Sequence, residues 1–177
     1  MINARTLRLT AALVTLAGSV SAQGADVSVF WPGCLNTHWD VSAAERVTAC
    51  TKILKLGTLT PDQQSQVLLN RAWSYSHIQR MADARADYDR AIALTPKSHV
   101  AYNERGLFNL RIGRLDEAIA DYDMALSFQP GAAYSLYGRG LAFLRKGDEN
   151  RGQADLTAAR RADSSVDEVF KKIGVTP

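Results

Sequence analysis

The sequence predicts an all-α protein, a right-handed solenoid of three helix-turn-helix repeats with an N-terminal helix and arm and a C-terminal capping helix. The main observation is internal repetition: DYDRAIALTP at 87–96 returns as DYDMALSFQP at 121–130, an offset of 34 residues. A fixed period of this size is typical of architectures in which each repeat is one supersecondary unit. The chain has 177 residues, 46% of them hydrophobic, which is enough for one folded domain with a core.

The first 22 residues are predicted to be a secretory signal peptide. Arg5 and Arg8 precede an apolar stretch at 9–20, and small residues follow up to Ala22, where we expect cleavage. The stretch is shorter than the roughly 20 residues that cross a bilayer, so we expect no membrane insertion after cleavage. Of the 21 basic residues, the two in the leader are lost, which leaves 19 against 18 acidic ones and a net charge of about +1. This balance argues against a nucleic-acid partner.

Residues 23–41 are predicted to form an extended N-terminal arm, and residues 42–57 a helix. Ser42 and Glu45 have the spacing of a capping box, in which each side chain binds the backbone N–H of the other residue. The apolar residues that follow have helical spacing and place Cys50 on the apolar side of the helix.

The chain has two cysteines, Cys34 and Cys50. An exported protein matures in an oxidising compartment, where an even cysteine count favours a disulfide between them. Two buried free thiols are the alternative. A zinc site built on Cys34 and His38 has too few ligands.

The repeat region is predicted to span 61–164, in units at 65–98, 99–132 and 133–166. Thr60 and Pro61 mark a helix start before the first unit. Small residues recur at positions eight and twenty of each unit, so that two helices approach closely, and a large residue at position twenty-four fills the space beside them. Proline at position thirty-two ends the second helix in two units. Position eight holds Ala72, Gly106 and Gly140, and position twenty holds Ala84, Ala118 and Gly152. Position twenty-four holds Tyr88, Tyr122 and Leu156, and position thirty-two holds Pro96, Pro130 and Ser164.

This pattern resembles the tetratricopeptide repeat, and the resemblance extends from residue 65 to about 164. Unit three departs from it with Leu156 and Ser164, and unit two has Asn109 at a position that is usually aromatic, where we expect Phe108 to fill the space. The arrangement Cys, Asp and then ACT before the repeats is similar to that of small exported tetratricopeptide proteins of Gram-negative bacteria. Together with the leader, this resemblance implies a periplasmic location.

The paired aspartates of the repeated segment are not predicted to bind a metal. Residues two apart in a helix, such as Asp87 and Asp89, point to different faces and cannot hold one ion together. Position twenty-three is aspartate in all three units and position seven is arginine, which predicts ion pairs between the two helices of each unit, with solvated surface charge as the alternative. Exposed pairs contribute about 0–1 kcal/mol each. The residues concerned are Asp87, Asp121 and Asp155, and Arg71, Arg105 and Arg139.

Residues 165–177 are predicted to form a C-terminal capping helix and tail. Ser165 and Glu168 have capping-box spacing, and the apolar residues of the helix share one side. A solenoid ends on such a unit because its outer face must be polar.

The sequence contains no motif that indicates catalysis. It lacks the nucleophile, metalloprotease and phosphate-loop motifs, and its three histidines are scattered. We therefore predict no enzyme, no catalytic residue, no metal and no cofactor.

The resemblance implies that function lies on the concave face, which the first helices of the units line. We expect a peptide or helical segment of a protein partner to bind there. The alternative function is a structural protein of the cell envelope that uses the same face to form homo-oligomers, and some of these residues are alternatively covered by neighbouring helices or by the arm. The family's cluster of Lys, Arg and Asn for a C-terminal carboxylate is not reproduced. The expected groove residues are Leu69, Trp73, Asn103, Leu107, Leu110, Tyr134, Tyr137 and Leu141.

Overall fold

The structure is a computed structural model that describes residues 31–35 and 41–175, all of whose regular elements are α-helices. The predicted signal peptide and most of the predicted arm lie outside the described residues. The helices are α1 (Trp31–Cys34), α2 (Ala43–Lys55), α3 (Pro61–His77), α4 (Met81–Leu94), α5 (His99–Arg111), α6 (Leu115–Phe128), α7 (Ala133–Arg145), α8 (Glu149–Ala162) and α9 (Val166–Lys172).

The helices pack in the order in which they occur along the chain. The pairs α3/α4, α5/α6 and α7/α8 form the three units, and the first helices α3, α5 and α7 contact one another in succession. At the two ends, α2 packs on α3, and α9 packs on α7 and α8. The first helices therefore form one continuous face, which is the predicted concave face.

The N-terminal helices begin where the capping patterns predict. Ser42 and Glu45 form the expected capping box before α2, and Thr60 and Gln63 form a second one before α3. The segment before α2 differs from the prediction, because Trp31–Cys34 is a helical turn and not extended chain. In the structure Cys34 and Cys50 form a disulfide with 4.9 Å between their Cα atoms, and both are fully buried. The bridge fastens α1 to the apolar side of α2.

Large residues at position twenty-four pack against small residues of the first helices. The fully buried Tyr122 passes so close to Gly106 and Gly138 that a Cβ atom would lie 3.0 Å from its ring at Gly106 and 2.3 Å from it at Gly138. Phe108 of unit two is buried against Tyr88 of unit one, with 5.3 Å between the ring centroids, whereas Asn109 is itself buried at position eleven. The tight contacts fix where α6 lies behind α5 and α7.

The predicted ion pairs between positions seven and twenty-three are confirmed in all three units. They join Arg71 to Asp87, Arg105 to Asp121 and Arg139 to Asp155 at N–O distances of 2.6, 2.6 and 2.7 Å. The two later arginines also reach position twenty-five of the preceding unit, Asp89 and Asp123, at 2.7 Å each. The pairs are less exposed than we expected: the Asp121 side chain is only 6% exposed and also accepts a hydrogen bond from the buried Asn109. The surface-pair magnitude therefore does not apply to them.

Helix α9 is held against α7 by both polar and apolar contacts. The Tyr137 hydroxyl donates a hydrogen bond of 2.7 Å to Asp167, which also binds Arg160 at 2.8 Å. The Phe170 ring lies 4.5 Å from the Tyr137 ring, centroid to centroid. The predicted capping box at Ser165 is wrong, because the Ser165 hydroxyl donates to Asp163 instead and its backbone is already helical.

Candidate functional site

A cavity of about 230 Å³ opens on the concave face, between the first helices and α9. Four of the predicted groove residues line it: one from α3, two from α5 and one from α7. They are Trp73, Asn103, Leu107 and Tyr134. The concave face therefore does contain a recess with aromatic and aliphatic walls at the predicted place.

Three predicted groove residues belong to the core instead. Leu110, Tyr137 and Leu141 are at most 2% exposed and are part of the same buried cluster as Phe170. Tyr137 is covered by α9, whose Phe170 ring lies against it, and position in the repeat alone did not reveal this. Leu69 is half-buried, packs against the core of the first unit and lies outside the cavity.

Helix α9 forms a wall of the cavity that the sequence reasoning missed. Its residues on the cavity come from the C-terminal end of the chain, whereas Trp73 comes from the first unit. They are Val169, Phe170 and Ile173. The apolar side of α9 was recognised, but it was expected only to close the end of the solenoid. Seven residues of amphipathic helix do not specify whether they cover the end of a stack or turn onto its concave face.

The Trp73 ring is held in place by its neighbours on α3 and α2. The His77 ring stacks on it with 3.7 Å between the centroids, and the Arg46 guanidinium lies 5.2 Å from the Trp73 ring centroid. Burial lowers the pKa of His77, so the imidazole is neutral near pH 7 and stacks without a charge. Trp73 thus presents an aromatic surface that is fixed before any ligand arrives.

Two further polar residues reach the cavity, Glu104 and Tyr122. Glu104 follows Asn103 on α5, and Asn103 itself accepts a hydrogen bond of 2.9 Å from Ser135 on α7. Burial raises the pKa of the Glu104 carboxyl. Position six was not among the expected groove positions, although it lies between positions five and nine on the same face of α5.

Tyr122 reaches the cavity from α6, the second helix of unit two. It is the only lining residue contributed by α6, and it reaches the concave side through the gap between Gly106 and Gly138. The hydroxyl end of the side chain lies beside Gly138 of α7, and the hydroxyl oxygen is buried. The hydroxyl has no hydrogen-bond partner among the described residues. Burial and the nearby charge of Glu104 raise its pKa, so it stays protonated.

Residues 31–35 and 41–175 contain no group of three or more His, Cys, Asp or Glu side chains placed to hold a metal ion. Among these residues, no helix has the length and apolar character needed to cross a bilayer.

A family model for the tetratricopeptide repeat matches residues 69–133. This match covers unit one except its first four residues, all of unit two, and the first residue of unit three. Over residues 69–133 the chain belongs to the tetratricopeptide repeat family. No curated protein shows significant similarity to the sequence.

Solved tetratricopeptide proteins have the same fold. A crystal structure of MamA superposes with a TM-score of 0.65 at 22% identity, covering 79% of this chain and 80% of MamA. YrrB, described as a TPR protein with an unusual peptide-binding site, gives a TM-score of 0.64 at 16% identity, covering 85% of this chain and 75% of YrrB. A second MamA structure gives 0.64 at 20% identity, covering 86% and 79%. At these identities the likeness shows the fold alone.

Proposed function

We propose that this tetratricopeptide protein is a periplasmic adaptor, without enzymatic activity, that holds a peptide or helical segment of another protein on its concave face. The observation that carries the proposal is the cavity of about 230 Å³ between α3, α5, α7 and α9. Aromatic residues in a concave, largely apolar recess are typical of protein-recognition sites. The peptide-binding site described for YrrB, which has the same fold, supports it.

The periplasmic part of the proposal is supported by two features. The leader-like first 22 residues indicate export, and the disulfide between Cys34 and Cys50 suits an oxidising compartment. Intact mass spectrometry of the protein from its native host tests this. We expect a chain that starts near residue 23 and carries no acyl group. A mass that retains residues 1–22, or includes a lipid, would contradict the location.

Site-specific photo-crosslinking tests the adaptor role. A photoreactive amino acid at Tyr134, which is 43% exposed and lines the cavity, is compared with the same residue at Met124, which is 40% exposed on α6 and outside the cavity. We expect the Tyr134 position to trap a partner in the cell envelope and the Met124 position not to trap it. The trapped protein is then purified and its affinity measured for the wild type and for Tyr134→Asp and Met124→Asp variants.

The adaptor proposal requires Tyr134→Asp to weaken this binding at least tenfold while Met124→Asp has little effect. Equal trapping at the two positions, or binding that is insensitive to Tyr134→Asp, contradicts it. If the molecule trapped at Tyr134 is a second copy of the same chain, the concave face is a self-association surface. Val100, 45% exposed on the same side of α5, favours this second function. Sedimentation at several concentrations then gives the oligomeric state.

A further inference from the structure

We propose that the cavity is a subsite for one basic side chain, lysine or arginine, of the segment that the concave face binds. This inference rests on the proposed adaptor function and adds the chemistry of the ligand. It is drawn from the polar groups at the floor of the cavity and from the aromatic rings in its walls.

The first argument is charge. Glu104 is the only carboxylate among the residues that line the cavity, and no lysine or arginine lines it. Among the described residues Glu104 takes part in no ion pair. A desolvated carboxylate without a cation is costly, and a cation that enters the cavity removes part of this cost. The five other carboxylates that face Arg71, Arg105 or Arg139 already have their cation within the protein.

The second argument is the Tyr122 hydroxyl, which is fully buried and lacks a hydrogen-bond partner among the described residues. An unsatisfied buried hydroxyl costs free energy, and such groups in native proteins call for an explanation. The hydroxyl oxygen is able to accept a hydrogen bond from an ammonium or guanidinium group, and Glu104 lines the same cavity. One basic group thus satisfies both residues at the same time.

The third argument is the composition of the walls. Trp73, Tyr134 and Phe170 contribute aromatic rings, and Leu107 and Val169 contribute aliphatic surface. Aromatic faces attract cations, and the methylene stem of lysine or arginine packs on apolar surface while its charged end stays polar. The cavity therefore matches both parts of a long basic side chain.

Other side chains fit less well. An aliphatic side chain fills the space between the walls, but it gives Glu104 no cation and the Tyr122 hydroxyl no hydrogen-bond partner, and burying such polar groups on binding costs free energy. An acidic side chain is repelled by Glu104. The subsite is therefore a determinant of specificity. It distinguishes basic side chains from aliphatic and acidic ones by charge, and not by shape alone.

The first experiment selects ligands with a random peptide library displayed on phage, using the purified full chain as bait. We expect one position of the selected peptides to be enriched in lysine or arginine. The best peptide is synthesised with lysine, arginine or norleucine at that position, since norleucine keeps an apolar stem but has no charge. The norleucine peptide should bind at least tenfold more weakly than the better of the two basic peptides.

The second experiment changes the protein. Glu104→Gln keeps the shape of the side chain and removes its charge, and it should weaken the basic peptide about tenfold while leaving the norleucine peptide unchanged. Glu117→Gln is the matched control, since Glu117 is exposed on α6 and outside the cavity, and it should change neither. If Glu104→Gln weakens both peptides equally, the charge is not recognised and the inference is wrong.

The third experiment separates ligand recognition from packing. Tyr122→Phe removes only the hydroxyl, and we expect the melting temperature to stay the same or rise while the affinity for the basic peptide falls severalfold. Tyr88→Phe, the same change at position twenty-four of unit one and outside the cavity, should leave that affinity unchanged. A clear fall in melting temperature for Tyr122→Phe would show that the hydroxyl serves the fold and would overturn this assignment.

The outcomes distinguish this inference from the adaptor function. Selected peptides that bind the concave face without a preference for a basic residue overturn the subsite and leave the adaptor function standing. If no peptide is enriched, both are contradicted. Loss of binding on Tyr134→Asp, together with no effect of Glu104→Gln on the basic peptide, places the ligand against Tyr134 without recognition of its charge by Glu104, and also overturns the inference.

Discussion

The contact between Tyr122 and Gly138 predicts that Gly138→Ala destabilises the wild-type protein. The same change is predicted to stabilise a protein that carries Tyr122→Leu. An alanine Cβ at position 138 would lie 2.3 Å from both Cζ and Oη of Tyr122 and 2.8 Å from Cε1. The ring has no room to retreat, because Gly106 packs on it, with a Cβ built there only 3.0 Å away. Overpacking of a core costs about 1–3 kcal/mol, and this contact is severe enough for the upper end of that range. Alanine gains about 1 kcal/mol of helix propensity over glycine, so Gly138→Ala should lose about 2 kcal/mol of stability.

Replacing Tyr122 by leucine removes the three atoms that collide with the new Cβ. Leucine is the residue that the chain itself uses at this position in unit three, where Leu156 packs against Gly140. In the Tyr122→Leu background the steric cost is absent and only the higher helix propensity of alanine affects stability. Gly138→Ala should therefore stabilise this variant by up to about 1 kcal/mol. The two sites should therefore show a coupling energy of about 3 kcal/mol.

Urea unfolding of the wild type, both single variants and the double variant measures this coupling. Gly131→Ala is the control, because a Cβ there has no other atom within 4 Å and the expected change is small. The m-values should agree among the variants, which shows that the unfolding transition is the same. A Gly138→Ala variant that is neutral, or that is equally unstable in both backgrounds, would refute the packing argument.

Three other expectations concern the ion pairs, the disulfide and α9. Arg105→Met deprives the buried Asp121 of its cation and should lower the free energy of unfolding by about 2–3 kcal/mol, which is less than for a fully buried pair because the arginine is partly exposed. In the same unfolding assay Arg80→Met, at a surface pair, should cost about 0–1 kcal/mol. Thiol titration of unreduced protein should detect no free cysteine, and Cys50→Ser should increase hydrogen exchange in α1 and α2 while the repeats stay protected. Hydrogen bonds from Arg160 and Tyr137 lower the pKa of Asp167 from 3.8 to about 2, so its contribution to α9 docking is complete above pH 3.8 and is lost as the pH falls toward 2. NMR signals of the Phe170 ring should report that loss, and an Asp167→Asn variant should show weakened docking already at neutral pH.

The repeat architecture was predictable because its signals are local and recur at one period. Each glycine or alanine at position eight faces a large residue sixteen positions later, and each arginine at position seven faces an aspartate at the same separation. A single period therefore determines helix pairing, packing and ion pairs together. The period did not predict the role of Asn109, which is buried at position eleven and donates a hydrogen bond to Asp121, while Phe108 packs on Tyr88 of unit one.

The candidate site was only partly predictable, because its composition depends on what the last helix covers. Leu107 and Leu141 stand at the same position of successive units, yet Leu107 lines the cavity and Leu141 is fully buried in the cluster that contains Phe170. No property of either leucine distinguishes them. Helix α9 packs on α7 and adds Phe170 to the cluster that contains Leu141, and its docking depends on tertiary contacts such as that of Tyr137 with Asp167.

The cavity and the docking of α9 must therefore depend on each other. Two lining residues belong to α9 and a third directly follows it, so a protein in which α9 detaches loses a wall of the cavity. Trp73, Glu104 and Leu107 stay in place on α3 and α5. The bonds of Asp167 lie outside the lining, which means that Asp167→Asn changes no group that a ligand would touch. If this variant weakens binding on the concave face in proportion to the fraction of molecules with α9 detached, the wall formed by α9 is required for recognition. If binding is unaffected or strengthened when α9 detaches, the ligand uses the longer face that includes Tyr137 and Leu141, and the cavity is not the site.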